Sequence, residues 1–403
     1  MDPPRPSGRS DFKIAIICAL PLEAAAVLHL CDRLYSNEGL DLGIASGDRN
    51  LYIIATMGRR NVVVVILSEM GTTSASTAAA TLHMSYPNLR MAFVVGICAG
   101  VPSVGSRGLY LGDVIISTAV VQYDSGRQFH ERFVVRDTLE DSKGRPAREV
   151  RSLLAHLKVP PLRKQLLVQA AAHLEKLQEK AATEEPETDY QEPPEGSDRC
   201  YPADLLHKHH PTSRLGECAH CAKVGEVCHK ASKDSCDDCG CPAAATAAPQ
   251  PCRVGTPHRP LQIVLGRIGS ANMVLKSSLD RDRLAKDHDL VAFEMEVAGV
   301  WDEVPTLMVK GVCDYADSHK NKLWQAYAAA RAAAVTRALI EKLHLDDPPH
   351  NYSASATPNS QGLERGPSAP NGQRAPGSRT MSNITMGNGG LANQGDVSGG
   401  IWR

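Results

Sequence analysis

Acidic residues follow three of the apolar runs in this sequence. They are Glu23, Glu294, Glu296 and Asp314. Ligands of open α/β folds bind beyond the carboxyl ends of the strands, so these side chains are expected to meet at one rim. A single acidic residue in that position is also explained by the dipole of the helix that follows. Three separate strands with such residues favour catalysis, because carboxyl groups in different surroundings can serve as an acid and a base.

A glycine-rich stretch, GICAG (residues 96–100), follows the apolar run MAFVV. It is neither the GxGxxG of dinucleotide-binding folds nor a P-loop, which argues against both classes. The stretch predicts a close approach between backbone and a small ligand at Gly96. Arg59 and Arg60 follow another apolar run, and arginine binds phosphate in a bidentate manner. These two residues are either an anion site or surface charges at a hairpin tip, and the sequence leaves both interpretations open.

Cysteine usage is uneven, with eight of the twelve cysteines between residues 200 and 252. In an intracellular protein such a cluster indicates a metal site or free thiols rather than disulfides. Two CxxC pairs, Cys218 with Cys221 and Cys236 with Cys239, lie about fifteen residues apart. That spacing suits one structural zinc ion, with His207, His209 and His210 as further possible ligands. The alternative is a variable loop with free thiols, and neither interpretation makes the metal a cofactor of catalysis.

These residues need a scaffold, and the pattern predicts an α/β fold. Continuous Val/Ile runs that alternate with helical stretches indicate a sheet covered on both faces. The α/β pattern extends over residues 11–345 and is interrupted by a Cys/His-rich insertion at about 140–258. Residues 1–10 and 346–403 are rich in Pro, Ser, Asn and Gly, and we expect both to be disordered.

Composition limits the classes of partner. The chain of 403 residues has a formal net charge of -1, whereas a nucleic-acid-binding protein usually has a basic surface. A small anionic ligand is still compatible with this charge. No apolar run reaches the ~20 residues of a membrane-spanning helix, and the N-terminus lacks the apolar core of a secretory signal. We therefore expect a soluble cytoplasmic protein without nucleic-acid or membrane partners.

Four segments together resemble the nucleoside phosphorylase/nucleosidase superfamily, and in particular its fungal members associated with NLR-type immune receptors. These segments are IAIICALPLEAAAV, VVGICAGVP, FEMEVAGV and VKGVCDYADSHKNK. The resemblance covers about residues 11–135 and 261–343. It implies a three-layer fold, with a mixed central sheet flanked by helices, and a homo-oligomer.

The resemblance also implies cleavage of the N-glycosidic bond of a purine nucleoside or nucleotide. Asp314 matches the general acid that protonates the purine, and Glu23 matches the residue that activates water. Glu296 matches the carboxylate that holds the ribose hydroxyls, with Met295 under the sugar. An oxocarbenium-like transition state requires such a set. The further residues expected to contact the substrate are Gly96, Cys98, Asn272, Phe293, Arg59 and Arg60.

Water or phosphate as the nucleophile is the main open question. Phosphorylases of this superfamily carry an arginine on the strand that enters the glycine-rich stretch, where this chain has VVGI (94–97). Hydrolysis is therefore favoured over a phosphate-dependent phosphorylase. A third interpretation is a catalytically silent nucleoside-sensing module. The tail at 380–403 is either disordered or an amyloid-type motif through which an NLR-type partner would signal.

Overall fold

Apolar strands alternate with helices along the chain, as the sequence pattern predicts. The structure is a computed structural model that describes residues 5–104, 107–130, 132–136, 143–216, 218–223, 226–242, 260–343 and 345. The strands are β1 (Ile14–Cys18), β2 (Arg33–Leu34), β3 (Tyr52–Met57), β4 (Arg60–Ile66), β5 (Met91–Gly100), β6 (Ser103–Val104), β7 (Arg107–Gly108), β8 (Val114–Gln122), β9 (Gly126–Gln128), β10 (Phe133–Val135), β11 (Ile263–Ser270), β12 (Leu290–Glu294) and β13 (Thr306–Asp314). The helices are α1 (Pro21–His29), α2 (Thr72–Ser85), α3 (Arg148–Leu157), α4 (Pro160–Glu184), α5 (Ser278–His288), α6 (Val297–Val300) and α7 (Gln325–Ile340).

Within the described residues, nine strands form one mixed sheet in the order β12-β11-β8-β13-β5-β1-β4-β3-β2. The pairs of β5 with β1 and β13 are parallel, whereas β13 and β8 are antiparallel. β12 also pairs with β5 in antiparallel orientation, so five strands close on themselves. In this pairing Phe293 lies opposite Ala99, which places the carboxyl ends of β5 and β12 together.

Both faces of the sheet are covered. On β1, Ile14 and Ile16 contribute to one apolar cluster, and Ala15 and Ile17 contribute to the other. Helices α1, α4 and α7 supply residues to the first cluster, whereas α2 and α6 supply residues to the second. This arrangement explains the continuous apolar runs, since both sides of each strand are buried. The predicted three-layer α/β fold, with a mixed sheet between helices, is confirmed.

Two boundaries differ from the sequence prediction. Helices α3 and α4 fall within the expected insertion, yet their leucines Leu154, Leu166 and Leu177 lie in the first apolar cluster. Both helices therefore belong to the main fold, because they are amphipathic and bury their apolar side in its core. The segment that is separate from this core begins only after α4. We call residues 185–242 the Cys/His segment, and residues 12–184 and 260–345 the α/β region. The second difference is that the glycine-rich stretch 96–100, which follows an apolar run in the sequence, is itself part of β5.

The two termini are described only in part. Residues 1–4 and 346–403 lie outside the described residues, as does Cys252, so the expected disorder and the signalling motif of the tail are untested. Near the N-terminus, Arg9–Asp11 forms a 3₁₀ turn, and Asp11 accepts a hydrogen bond from the backbone N–H of Ser7 at 2.7 Å. Within the described part of the chain, no helix has the length and apolar character needed to cross a bilayer.

Candidate functional site

Glu23 lies in the first turn of α1, shortly after β1. Its Oε2 accepts hydrogen bonds from the backbone N–H groups of Ala19 and Leu20 at 2.8 and 2.9 Å. Its Oε1 accepts one from Ile97 at 2.8 Å. The residue is 2% exposed. A carboxylate has about four lone-pair sites, so these donors fix both oxygens and leave about one site for a further donor such as water.

Gly96 makes this position of Glu23 possible. A Cβ atom on residue 96 would overlap the carboxylate of Glu23. Any side chain there would therefore push the carboxylate away from the N–H group of Ile97. The sequence predicts that a ligand approaches Gly96, but in the structure the approaching group is the protein's own Glu23.

A buried lysine on β13 joins two further carboxylates. The Nζ atom of Lys310 lies 2.5 Å from Oε2 of Glu296 and 3.5 Å from Oε2 of Glu294. Lys310 itself is 1% exposed. Glu294 also accepts hydrogen bonds from the backbone N–H groups of Glu296 and Val297 at the start of α6. The carboxylate of Glu294 thus binds the N–H groups at the start of that helix, whereas the carboxylate of Glu296 is held by Lys310.

Burial controls the charges of this group. It raises the pKa of Glu23 above the ordinary value, and Lys310 opposes that shift only in part. Burial likewise raises the pKa of Glu294. Burial alone would lower the pKa of Lys310, but Glu296, Glu294 and Glu23 together raise it well above the ordinary value. One ammonium group thus faces three acidic side chains, and the group is negative whenever more than one of them is ionised.

A cavity of about 310 Å³ opens beside these charged groups, and its volume is in the range of small-molecule sites. The predicted site residues that line it are Glu23, Cys98, Phe293, Met295 and Glu296. Its apolar wall includes Tyr123, whose ring packs edge-on against Phe293 with the centroids 5.6 Å apart. The cavity therefore combines an acidic side with an aromatic side, which suits a polar sugar attached to a flat ring.

Asp314 ends β13 and borders a second, larger cavity of about 740 Å³. Its Oδ1 accepts a hydrogen bond from the N–H group of Ala316 at 2.9 Å. Its Oδ2 lies 2.9 Å from Nζ of Lys320 and 3.1 Å from Sγ of Cys313. Cys313 and Lys320 border both cavities. The structure thus brings Asp314 to the same end of the sheet as Glu23 and leaves Lys320 at the boundary between the two cavities.

The two predicted arginines lie elsewhere. Arg59 and Arg60 are at the tip of the β3–β4 hairpin, and Arg60 donates a hydrogen bond to the backbone oxygen of Leu343 at 2.7 Å. Since β4 runs parallel to β1, this tip lies at the end of the sheet opposite to Glu23. The expectation that the arginines contact the substrate is therefore corrected, because strand direction takes them away from the carboxylates.

Asn272 connects β11 to the start of α2. Its Oδ1 accepts a hydrogen bond from the N–H group of Thr72 at 2.8 Å, and its Nδ2 donates to the hydroxyl of Thr72 at 2.6 Å. The side-chain amide is thus engaged with the protein. The neighbouring residues Met273 and Val274 line the smaller cavity instead, and about half of each is exposed at its mouth.

The two CxxC pairs, which were expected to share one zinc ion, do not meet as one set of four ligands, although Cys239 lies within 4.8 Å of His209 and Asp234. One cluster, in which all ligand atoms lie within 4.8 Å of one another, consists of His209, Cys218, Cys221 and Cys228. Cys236 and Cys239 lie instead against His207, each with Sγ 3.7 Å from a ring nitrogen. The predicted set of four thiolates is corrected, because the path of the chain between the pairs decides which ligands meet.

Sequence reasoning missed Lys310 and Lys320. A lysine inside an apolar run such as TLMVKG is a usable signal, since a fully buried lysine is rare without a partner. Lys320 gives no such signal, because it is one of several polar residues in DSHKNK. Tyr123 follows an apolar strand in the same way as many core residues do, so nothing in the sequence distinguishes it.

Part of the chain matches a known protein family. Residues 13–187 match the sequence profile of the phosphorylase superfamily, a range that contains Glu23 and Gly96 but not Glu296 or Asp314. The chain is 28% identical over 354 residues to a nucleotide-binding leucine-rich repeat (NLR)-like protein from Hyaloscypha variabilis. That match covers 83% of this chain but only 30% of the relative's length.

Two solved structures show a weaker similarity. One is a 5′-methylthioadenosine/S-adenosylhomocysteine nucleosidase from Neisseria meningitidis in complex with methylthio-immucillin-A, with 15% identity, a TM-score of 0.45, and coverage of 82% of this chain and 99% of that chain. The other is futalosine hydrolase from Helicobacter pylori, with 13% identity, a TM-score of 0.47, and coverage of 83% and 99%. Residues 13–187 of the chain thus resemble the phosphorylase superfamily, and they contain β1, β5 and β8 of the mixed sheet described above.

Proposed function

We propose that this protein hydrolyses the N-glycosidic bond of a purine nucleoside or nucleotide and releases the free base. The observation that carries the proposal is the pair Glu23 and Glu296, which two separate strands place on one side of a cavity with an aromatic wall. Cleavage of this bond develops positive charge on the sugar. Carboxylates that are fixed before the reaction stabilise such a charge in a buried site.

Each carboxylate has a distinct part in the proposed reaction. Glu23 accepts a proton from the attacking water through the lone-pair site that its three backbone donors leave open. Glu296, kept in place by Lys310, binds the ribose hydroxyls. Asp314 gives its proton to the purine as the bond to the sugar breaks. The base leaves in neutral form, and the proton taken up by Glu23 balances the one that Asp314 has lost.

Lys320 is the group that substrate binding has to move. It pairs with Asp314 at 2.9 Å and borders both cavities. A purine that reaches Asp314 from the smaller cavity would displace this ammonium group. The exchange would replace the ion pair by a hydrogen bond to the base, and Asp314 would take up from solvent the proton that it then donates.

A phosphate-dependent phosphorylase is the first alternative. Such an enzyme needs cations that are free to bind an anion. Among the described residues that line the smaller cavity, the cations are Lys310, Lys320 and Lys322. Lys310 is paired with Glu296, whereas Lys320, once a base displaces it from Asp314, and Lys322 are cations that an anion could reach. The support for water comes instead from Glu23, because its carboxylate would repel phosphate but accept a proton from water.

A nucleoside-sensing module without turnover is the second alternative. The observation in its favour is the similarity to part of a longer NLR-like protein. In such a module the cavity would bind the nucleoside, and the occupied state would be the signal. A signalling partner and a homo-oligomer would belong to this function, and both are proposals for this chain.

One experiment distinguishes these functions. Release of free base is measured from adenosine, inosine, guanosine, methylthioadenosine and ATP, with and without phosphate. We expect release without phosphate, with a loss of about 10²–10⁴-fold in Asp314→Asn, which cannot donate the proton. The control is Asp302→Asn, which removes an exposed carboxylate paired with Lys143. Release that requires phosphate would indicate a phosphorylase, and binding without release would indicate a sensor.

A further inference from the structure

The Cys/His segment has few apolar side chains to hold it together. Among its described residues the only regular element is the 3₁₀ turn Ala231–Lys233. Its buried apolar cluster consists of Tyr201, Ala231, Cys239 and Cys241. A core of this size does not order a segment by itself, and small folds of this kind are usually stabilised by disulfides or a metal. Every described cysteine is a free thiol, which leaves a metal.

One cluster contains three cysteines and one histidine, namely Cys218, Cys221, Cys228 and His209. The sulfurs of Cys218 and Cys228 are 3.7 Å apart, and Nδ1 of His209 lies 3.3 Å from the sulfur of Cys221. A tetrahedral zinc ion with Zn–S bonds of about 2.3 Å separates two sulfur ligands by roughly 3.8 Å. The cluster therefore has the number, type and spacing of ligands of a structural zinc site.

The outer nitrogen of His209 supports this assignment. Its Nε2 lies 3.1 Å from Oδ2 of Asp234. Histidines that bind zinc usually donate their second N–H group to a carboxylate or a carbonyl oxygen, which orients the ring and directs the free lone pair to the metal. Asp234 thus leaves Nδ1 of His209 as the nitrogen that faces Cys221.

The second cluster is built around His207 in the same manner. Its Nδ1 lies 3.3 Å from the sulfur of Cys241 and 3.7 Å from that of Cys236. Its Nε2 lies 2.8 Å from the backbone oxygen of Ala231. The carbonyl oxygen fixes the tautomer, and the free lone pair is directed to the two sulfurs.

His319 of the α/β region completes the second cluster. Its ligand atom lies within 4.8 Å of those of His207 and Cys241. The side chain is 2% exposed, and neither ring nitrogen has a hydrogen-bond partner among the described residues. Oδ1 of Asp317 lies 3.9 Å from Nδ1, which is beyond hydrogen-bond distance. A buried imidazole without a partner is costly, and a bond to a metal would remove that cost.

We propose that the protein binds two zinc ions, and that the second ion fastens the Cys/His segment to the strand end that carries Asp314. The first ion is bound by His209, Cys218, Cys221 and Cys228. The second is bound by His207, Cys241 and His319, and Cys236, whose Sγ lies 3.7 Å from Nδ1 of His207, supplies the fourth ligand. His319 and Asp314 both border the larger cavity, as do His207 and Cys236. The second ion therefore fixes the wall of that cavity, independently of whether the protein has the proposed activity.

Zinc content per chain tests the proposal without reference to turnover. The full chain is purified in reducing buffer, saturated with zinc, desalted and analysed by atomic absorption. We expect two zinc ions in the wild type, one in His319→Ala and one in Cys228→Ser. The double variant should bind none. The control His220→Ala removes an exposed histidine of the same segment and should retain two.

Replacement of zinc by cobalt identifies the ligands. Absorption bands of cobalt thiolates should appear for both sites, and His319→Ala should remove those of one site only. His319→Cys restores a ligand and should again bind two ions. If His319→Ala does not fold, the zinc content of His319→Cys tests whether residue 319 supplies a ligand. A wild-type protein with fewer than two ions, or two ions in folded His319→Ala, would overturn the proposal.

Discussion

In the α/β region, apolar side chains on both faces of the sheet surround a small group of charged residues. In the Cys/His segment, potential metal ligands are at the centre and apolar side chains are few. Both regions bury more acidic or thiol groups than cations. In the first, Lys310 supplies the compensating charge from within the chain; in the second, a metal ion would have to supply it from solution. An excess of buried acidic or thiol groups can thus be compensated either by a cation of the chain itself or by a bound metal ion.

The largest expected effect of breaking the first arrangement is on catalysis. Glu23→Gln should lower the rate of base release by about 10²–10⁴-fold, because an amide cannot accept the proton of water. The amide nitrogen also cannot accept a hydrogen bond, so one of its backbone donors loses its partner. Initial rates with the best substrate provide the measurement, with the exposed Glu175→Gln as control. A rate within twofold of wild type would remove Glu23 from the mechanism.

Removal of the internal cation should have the largest effect on stability. Lys310→Met leaves the carboxylates of Glu294 and Glu296 without their ion pair in a buried site. The expected loss in the free energy of unfolding is about 3–5 kcal/mol, as for other broken buried pairs. Urea denaturation measures it, and Lys322→Met, at an exposed lysine nearby, is the control. Unchanged stability would mean that the charges of the carboxylates are compensated in another way.

Removal of metal should destabilise the Cys/His segment but not the sheet of the α/β region. After treatment with a zinc chelator, we expect amide hydrogen exchange to become faster in the Cys/His segment and near His319. Strands β1 and β5 should keep their protection, because the apolar clusters hold them in place. Exchange measured by mass spectrometry with and without chelator tests this. Equal protection in both states would show that the segment is ordered without metal.

The raised pKa of Glu23 predicts a smaller, pH-dependent effect. Between the ordinary value of 4.5 and the raised pKa, Glu23 is ionised in the unfolded chain and protonated in the folded one. The folded state then binds more protons, so the free energy of unfolding falls as pH rises through this window. Below this window, the group is protonated in both states, so it does not change the free energy of unfolding as pH varies. Activity should increase with pH through the same window, because only the ionised form accepts a proton.

The difference between the profiles of wild type and Glu23→Gln isolates this contribution from other titrating groups. Lys310 and Glu296 face Glu23 in both proteins, so their effects largely cancel. Denaturation midpoints and initial rates are measured at several pH values above 4.5. Parallel stability profiles for the two proteins would contradict the raised pKa.

The smallest effect is expected at the hairpin tip. Arg60→Ala removes the hydrogen bond to the backbone oxygen of Leu343, with an expected cost of about 1 kcal/mol. The rate of base release and its response to phosphate should not change, because the tip lies at the opposite end of the sheet from Glu23. Kinetics with and without phosphate provide the measurement. A loss of substrate affinity in Arg60→Ala would instead support the anion site that the sequence suggested at Arg59 and Arg60.

Most of the strands and helices could be predicted, since a buried strand or helix leaves a local pattern of apolar residues. The boundaries at Gly96 and at α3 were harder. At Gly96 a glycine suggests a turn, but the strand continues because residues 96–98 pair with β13. The missing side chain leaves room for the carboxylate of Glu23. At α3 the charged pattern concealed leucines that join the main core.

The sequence by itself determined which residues follow the strands, and therefore that Glu23, Glu296 and Asp314 would meet at one end of the sheet. Such information is local, because each of these residues follows its own strand within a few positions. Only the tertiary structure decided that Lys310 pairs with Glu296, that Arg60 lies at the far end, and that the two CxxC pairs separate. These features depend on strand order and on the paths of loops, which bring together residues that are distant along the chain.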